Sequence, residues 1–95
     1  MIRREGDTLI LEGPLTLDTV PALAGDEQEQ LRQGARVIDF RGVTDVDSSA
    51  VALALDWLRR ASAENIALRL ECLPAAMLNL AKLYGVSELL QPAAG

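Results

Sequence analysis

The sequence predicts an α/β domain in which a mixed sheet of about four strands is covered by helices. Short apolar segments alternate with longer segments of helical periodicity, in the order β-β-α-β-α-β-α. Strands that alternate with helices indicate a sheet with a parallel portion. The length of 95 residues fits one domain, so we expect residues 1–95 to form a single unit. Because 49% of the residues are apolar but only 3% are aromatic, the core is expected to be mainly aliphatic.

The first third of the chain predicts two strands and a helix, at residues 2–4, 8–13 and 18–33. The two strands are joined by a Gly-Asp pair, which is a weak hairpin signal. The second strand ends at a Gly-Pro pair. Asp18 or Thr19 is suited to cap the helix, and a glycine follows its last residue.

The remaining two thirds predict two further strands and two helices. In chain order we expect a strand at 36–40, a loop at 41–47, a helix at 48–64, a strand at 66–72, and a helix from Pro74 to Tyr84. Residues 86–90 form a short apolar tail. Cys72 is the only cysteine, and its place in an apolar run predicts that it is a small buried side chain.

Composition and charge exclude several kinds of partner and location. The net charge is −5 and the pI is near 4.5, which argues against nucleic acid or anionic lipid as the main partner. The N-terminal residues lack the apolar stretch of a signal peptide, and no run approaches the ~20 apolar residues that span a bilayer. We therefore expect a cytoplasmic protein, not inserted in the membrane, that can sit on a membrane complex through a protein partner.

The residues needed for common catalytic and cofactor sites are missing. There is no histidine, which excludes Ser-His-Asp and Cys-His catalysis and most zinc sites. There is no Gly-rich phosphate-binding loop. Asp45 and Asp47 are spaced to face one cation, but a D-x-D without further oxygen ligands is common in turns. We expect no catalytic residue, no metal and no cofactor, and hence a protein that is not an enzyme.

One segment stands out, the turn at 45–49 (DVDSS) that leads from a strand into a helix. Asp47 is a good N-cap, since its carboxylate can accept from N–H groups in the first turn. Ser48 and Ser49 then lie where the helix dipole is positive, and a phosphate would be tolerated there. Two interpretations remain open at this point, a recognition or switch site and simple helix capping.

The helix after this turn carries a broad apolar face. At about 100° per residue, its apolar side chains fill an arc of about 200°, against the roughly 100° that a core-facing stripe needs. Val51, Leu55 and Leu58 are expected to face the sheet. Leu53 and Trp57 lie at the far edge of the arc and are expected to form a partly exposed binding hot spot. The alternative is that a neighbouring helix covers them.

The predicted partner-binding surface combines this edge with its polar neighbours. Arg60 follows Trp57 along the same side of the helix, and the next helix offers two side chains that can reach the same surface. The full set is Asp47, Ser48, Ser49, Leu53, Trp57, Arg60, Lys82 and Tyr84.

The element order and the segment 43–51 (VTDVDSSAV) together resemble the STAS family, the sulfate-transporter and anti-sigma-factor-antagonist domain. The family's strand–loop–helix segment has the form (V/I)-D-[ST]-[ST/G]-G-L. The resemblance covers nearly the whole chain. It implies a STAS fold and a non-catalytic interaction domain.

Two branches of the family fit the sequence. In anti-sigma factor antagonists, a serine at the helix start is phosphorylated by a partner kinase, and the resemblance places Ser49 at that position. In MlaB-type subunits, an Asp-Thr pair that resembles Asp47-Ser48 begins the helix, and the subunit binds the cytoplasmic MlaF-like ATPase of a phospholipid ABC transporter. The segment LAKLY at 80–84 is similar to the third helix of MlaB-type proteins, which favours this branch.

The sequence departs from these patterns at the start of the helix. Ala50 stands where the family usually has glycine, which leaves the backbone of the turn less free. Ser48 replaces the MlaB-type threonine but keeps its hydroxyl. Ser49 stands where many MlaB-type sequences have glycine, so a phosphorylated switch remains an alternative.

Overall fold

The computed structural model describes residues 2–23 and 26–90. Its strands form one four-stranded sheet in the order β1-β2-β3-β4. The strands are β1 (Ile2–Glu5), β2 (Thr8–Leu15), β3 (Val37–Val46) and β4 (Arg69–Glu71). β1 pairs antiparallel with β2, whereas β2–β3 and β3–β4 are parallel. This confirms the predicted α/β class with a mixed sheet of four strands.

The helices follow the strands in the predicted alternation. They are α1 (Val20–Leu23), α2 (Asp26–Arg32), α3 (Ser48–Ala63), α4 (Ala75–Leu83) and α5 (Ser87–Leu90). The helix predicted at 18–33 is thus two short helices, and the part of that prediction at residues 24 and 25 lies outside the described residues. The apolar tail at 86–90 ends in a helical turn that the sequence did not predict.

β3 is twice as long as predicted, because the expected loop at 41–47 is mostly strand. Its register against β2 shifts twice: Ile10 lies opposite Asp39, but Glu12 lies opposite Gly42, and Leu15 lies opposite Val46. Each shift adds one residue to β3, as in a β-bulge. A Cβ on Gly42 would lie 2.7 Å from the carbonyl oxygen of Leu11, so only glycine allows the strands to come this close.

The core lies between the sheet and one layer of helices. The connections from β2 to β3 and from β3 to β4 both lead to the next strand in the same direction across the sheet. Because such connections are right-handed, their helices lie on the same face of the sheet. The thickness of 19 Å fits two layers. The largest fully buried side chains of this core are Trp57, Phe40, Leu9, Leu11, Leu15, Leu31, Ile38, Met77 and Leu90.

No described helix lies over the opposite face of the sheet, yet its central side chains are buried. Ile10, Val37 and Asp39 are 4%, 3% and 1% exposed. Ile10 and Val37 are not part of the core between the sheet and the helices. In the neighbouring strands Arg3 lies opposite Ile10, and Arg69 lies opposite Val37. Long side chains that lie flat can cover apolar neighbours in this way.

Cys72 is exposed, so the prediction of a buried cysteine is wrong. It follows β4 directly and has a φ of 57°, in the left-handed region. A residue in this region cannot continue an extended strand, and β4 ends at Glu71. Of the alternating segment 66–72, which was predicted to be a strand, only Arg69–Glu71 forms one.

Candidate interaction site

Asp47 caps the N-terminus of α3, as predicted. Its backbone is extended, with φ −136° and ψ −169°, and the helix begins at the next residue. The Oδ1 atom accepts the backbone N–H of Ser49 at 2.9 Å, and it also accepts the Ser49 hydroxyl. Two donors of the first turn are thereby satisfied by one carboxylate oxygen.

The second oxygen of Asp47 binds a different segment. Oδ2 accepts the backbone N–H of Leu17 at 2.9 Å, thirty residues earlier in the chain. Leu17 belongs to the turn at 16–19 that links β2 to α1. Asp47 therefore joins this turn to the start of α3, which capping alone does not require.

The turn at 16–19 is itself closed by hydrogen bonds. The Thr19 hydroxyl accepts the N–H of Thr16 at 2.9 Å and donates to the carbonyl oxygen of Pro14 at 2.9 Å. The N–H groups of Thr19 and Val20 both bond to the Thr16 carbonyl, at 3.0 and 2.9 Å. These bonds fix the position of Leu17 between them.

The hydrogen bonds keep Asp47 ionised. The bond from the Ser49 hydroxyl, followed by that from the Leu17 N–H, holds the pKa of Asp47 below its ordinary value. Both oxygens are already occupied by donors, so the side chain is poorly suited to act as a base or a metal ligand. Among residues 2–23 and 26–90 no group of three His, Cys, Asp or Glu side chains is placed to hold a metal ion.

The residues of this turn differ in exposure. Ser48 is exposed, while Ser49 is half-buried and its hydroxyl is bonded to Asp47. Leu17 is 73% exposed beside them. Sequence reasoning missed Leu17; the signal was a single leucine between polar residues, TLDT, in a segment between a strand and a helix.

The prediction that Leu53 and Trp57 form an exposed hot spot is wrong. Leu53 is 7% exposed and Trp57 is 0% exposed. The Trp57 ring packs at a tilt against Phe40 of β3, with the ring centroids 6.4 Å apart. α4 and α5 both contact α3 and contribute Met77, Ala81 and Leu90 to the same core. The edge that was predicted to be partly exposed is therefore buried within the domain, and Trp57 packs on the sheet.

The centre of the buried face also differs from the prediction. Val51 is buried, but Leu55 and Leu58 are only partly buried at the rim of the core. The fully buried positions of α3 lie around Ala54 and Trp57. The surplus apolar arc is thus used for packing against helices as well as against the sheet.

The other predicted contact residues do not join the turn. Arg60 is exposed and forms an ion pair with Asp56, with Nε 2.8 Å from Oδ2. It lies twelve residues after Ser48 on one helix, which is about 18 Å along its axis. Lys82 and Tyr84 are exposed at the C-terminal end of α4. Of the predicted set, hydrogen bonds join Asp47 to Ser49, and Ser48 lies between them in the chain.

The fold and this turn define the class of protein. A mixed sheet with one helix layer, and a capped strand-to-helix turn at the end of its longest parallel strand, describe an α/β domain of the STAS type. The chain belongs to the family described as "Mlab, STAS domain", whose model matches residues 1–91.

Solved structures agree with this fold. The anti-sigma factor antagonist SpoIIAA, in its unphosphorylated form, is 21% identical, with a TM-score of 0.64 over 87% of this chain and 81% of that chain. Mglu is 26% identical, with a TM-score of 0.53 over 79% of this chain and 19% of that chain. This chain therefore corresponds to a small part of Mglu. No match was found among curated proteins.

Proposed function

We propose that this domain is a non-catalytic subunit that binds the cytoplasmic ATPase of a phospholipid ABC transporter of the Mla type, and thereby sits beside the inner membrane. The observation that carries the proposal is the exposed Ser48 hydroxyl on a turn whose backbone Asp47 fixes. Membership of a family described as "Mlab, STAS domain" supports the choice of partner. In residues 2–23 and 26–90, no helix is long and apolar enough to cross a membrane.

The geometry of the turn favours binding over catalysis. The Ser49 hydroxyl donates to a carboxylate that two N–H groups also occupy. That carboxylate stays ionised, but it is a weak base because its pKa is lowered. A fixed, hydrogen-bonded turn with an exposed hydroxyl is instead pre-organised for contact with a partner.

The variant Ser48→Glu tests the contact directly. We expect it to weaken binding to the purified ATPase about tenfold or more, because a larger charged side chain replaces a small hydroxyl at the interface. Ser62→Glu is the matched control, since Ser62 is also exposed on α3 but lies at its other end. Binding of Ser48→Glu that equals binding of Ser62→Glu and wild type would exclude this turn as the contact.

The alternative function is an anti-sigma factor antagonist that a kinase switches at Ser49. The hydrogen bond from Ser49 to Asp47 gives such a switch a physical mechanism. A phosphate on Ser49 would carry about −1.5 to −2 charges beside the Asp47 carboxylate and break the bonds that fix the turn. Intact-mass measurement of protein from its native cell, with and without phosphatase, tests this alternative; no phosphate adduct in growth or stress would reject it.

A further inference from the structure

Leu17 is an exposed leucine held in one position. At 73% exposure it is among the most exposed large apolar side chains of the described residues. Single exposed leucines are ordinary on protein surfaces and need no explanation by themselves. Here, however, the Leu17 N–H is bonded to Asp47, and the turn around it is closed through Thr16 and Thr19. The side chain is therefore presented from a backbone that loses little freedom when a partner binds.

The two chain segments that carry Leu17 and the turn at 45–49 contain acidic but no basic residues. The two segments that meet at this end of β2 and β3, residues 13–20 and 42–52, contain three aspartates and no lysine or arginine. Asp18 and Asp45 are exposed, and Asp47 is ionised. We name the surface formed by Leu17, Asp18, Asp45 and Ser48 the acidic edge.

We propose that the acidic edge docks on a protein surface with an apolar socket for Leu17 and with Lys or Arg side chains around that socket. Charge complementarity selects this occupant: an acidic rim attracts a basic partner surface and repels phosphate-bearing partners such as nucleic acid or anionic lipid. An apolar anchor inside a polar rim is the usual arrangement of a binding hot spot. The inference rests on the proposed function, because the partner is taken to be the transporter ATPase.

The test compares two leucines of similar exposure. Leu17→Ser removes the anchor, and Leu83→Ser is the matched control, since Leu83 is 77% exposed at the end of α4. Binding of each variant to the purified ATPase is measured by calorimetry, with circular dichroism to show that each is folded. We expect binding about tenfold or more weaker for Leu17→Ser and within about twofold of wild type for Leu83→Ser.

The charge of the rim is tested separately. Asp18→Lys is expected to slow association with the ATPase and to reduce the dependence of association on salt, because steering by unlike charges is screened by ions. Asp7→Lys, which makes the same change of charge in the exposed turn at the opposite end of β2, is the control. Unchanged association of Asp18→Lys contradicts the basic chemistry proposed for the partner.

The outcomes separate the two proposals. If wild type does not bind the ATPase, the proposed function is wrong, and the ATPase is also rejected as the partner of the acidic edge. If wild type binds and Ser48→Glu weakens binding but Leu17→Ser does not, the proposed function stands and the anchor is rejected. If Leu17→Ser and Leu83→Ser weaken binding to the ATPase equally, the proposed anchor is also rejected, because the effect is then not specific to the acidic edge.

Discussion

At the scale of single residues, Asp47 has two roles, and its sequence context predicts only one of them. The Asp-Ser pattern before a helix predicts a cap, and the bond to the Ser49 N–H confirms it. The bond to the Leu17 N–H is invisible in sequence, because it joins positions thirty residues apart. One carboxylate therefore stabilises a helix end and also positions an exposed loop.

Replacing Asp47 with alanine is expected to destabilise the domain by about 1–2 kcal/mol, because the helix loses its cap and the turn at 16–19 loses its link. Urea denaturation followed by circular dichroism measures the change. Asp45→Ala is the matched control: Asp45 is exposed, and its loss should change stability by less than about 0.5 kcal/mol. Equal midpoints for the two variants would show that the cap does not contribute.

At the scale of elements, α3 shows how an apolar arc can be misinterpreted. Its width correctly indicated more contacts than a sheet can provide, but the additional contacts are internal. α4 and α5 lie against α3, and Leu53 and Trp57 are both buried, with Trp57 packed on Phe40 of the sheet. Helical periodicity predicts which side chains share a face; it does not predict which neighbouring element covers that face.

Trp57→Ala is expected to cost about 3–5 kcal/mol, since it empties a fully buried site beside Phe40. That is a large part of the stability of a small domain, so the variant should be largely unfolded or only marginally folded. Thermal denaturation followed by circular dichroism measures it.

Two controls make the Trp57 result specific. Arg60→Ala changes an exposed position on the same helix and should have a small effect. Trp57→Phe should cost less than Trp57→Ala, because it keeps an aromatic ring and removes the Nε1 donor, for which the described structure gives no partner. A melting temperature of Trp57→Ala that equals the melting temperature of wild type would contradict the burial of this residue.

At the scale of the whole molecule, the domain has two layers, and the second face of its sheet is covered by charged side chains. The centre of that face is Asp39, whose Oδ1 accepts the N–H of Arg41 at 2.8 Å and whose Oδ2 accepts the Arg41 Nε at 2.6 Å. The Arg41 guanidinium lowers the pKa of Asp39, although burial acts to raise it. Arg69 and Glu71 form a second pair on this face, with 3.3 Å between Nη2 and Oε2.

The Asp39–Arg41 pair predicts how stability changes with pH. Because the pKa of Asp39 is lower in the folded state, the unfolded chain binds its proton more readily. The stabilisation is therefore fully present above the ordinary value of 3.8 and is lost as the pH falls below it, through the folded pKa. Asp47 changes stability in the same direction.

Arg41→Gln is expected to lower the free energy of unfolding at pH 7, because the buried Asp39 carboxylate loses its cationic partner. The difference from wild type should shrink as the pH falls below 3.8 and through the lower folded pKa of Asp39, because the carboxyl is then protonated in both states. Arg69→Gln, on the same face but paired with the exposed Glu71, is the control and should cost about 0–0.5 kcal/mol. Urea midpoints at pH 7 and pH 3 measure both, and a pH-independent difference would contradict the role of charge.

The sequence determined the α/β class, the order of the main elements and the helix cap, because these depend on local periodicity and on side chains within one turn. The limits of β3 needed the tertiary structure, since residues 41–46 become strand only by bonding to β2 across two register shifts. Cys72 was misplaced for a related reason: alternation predicted a longer fourth strand, which ends at Glu71.

The candidate site was predicted only in part. Asp47, Ser48 and Ser49 adjoin in the chain, so the sequence placed them together. Leu17 reaches them only because β2 and β3 are parallel and end side by side, with Leu15 opposite Val46. Leu53 and Trp57 do not belong to the surface, because tertiary packing buries both of them, Trp57 against Phe40 of β3. Local chemistry thus determined the turn, whereas packing between distant segments decided which apolar side chains remain exposed beside it.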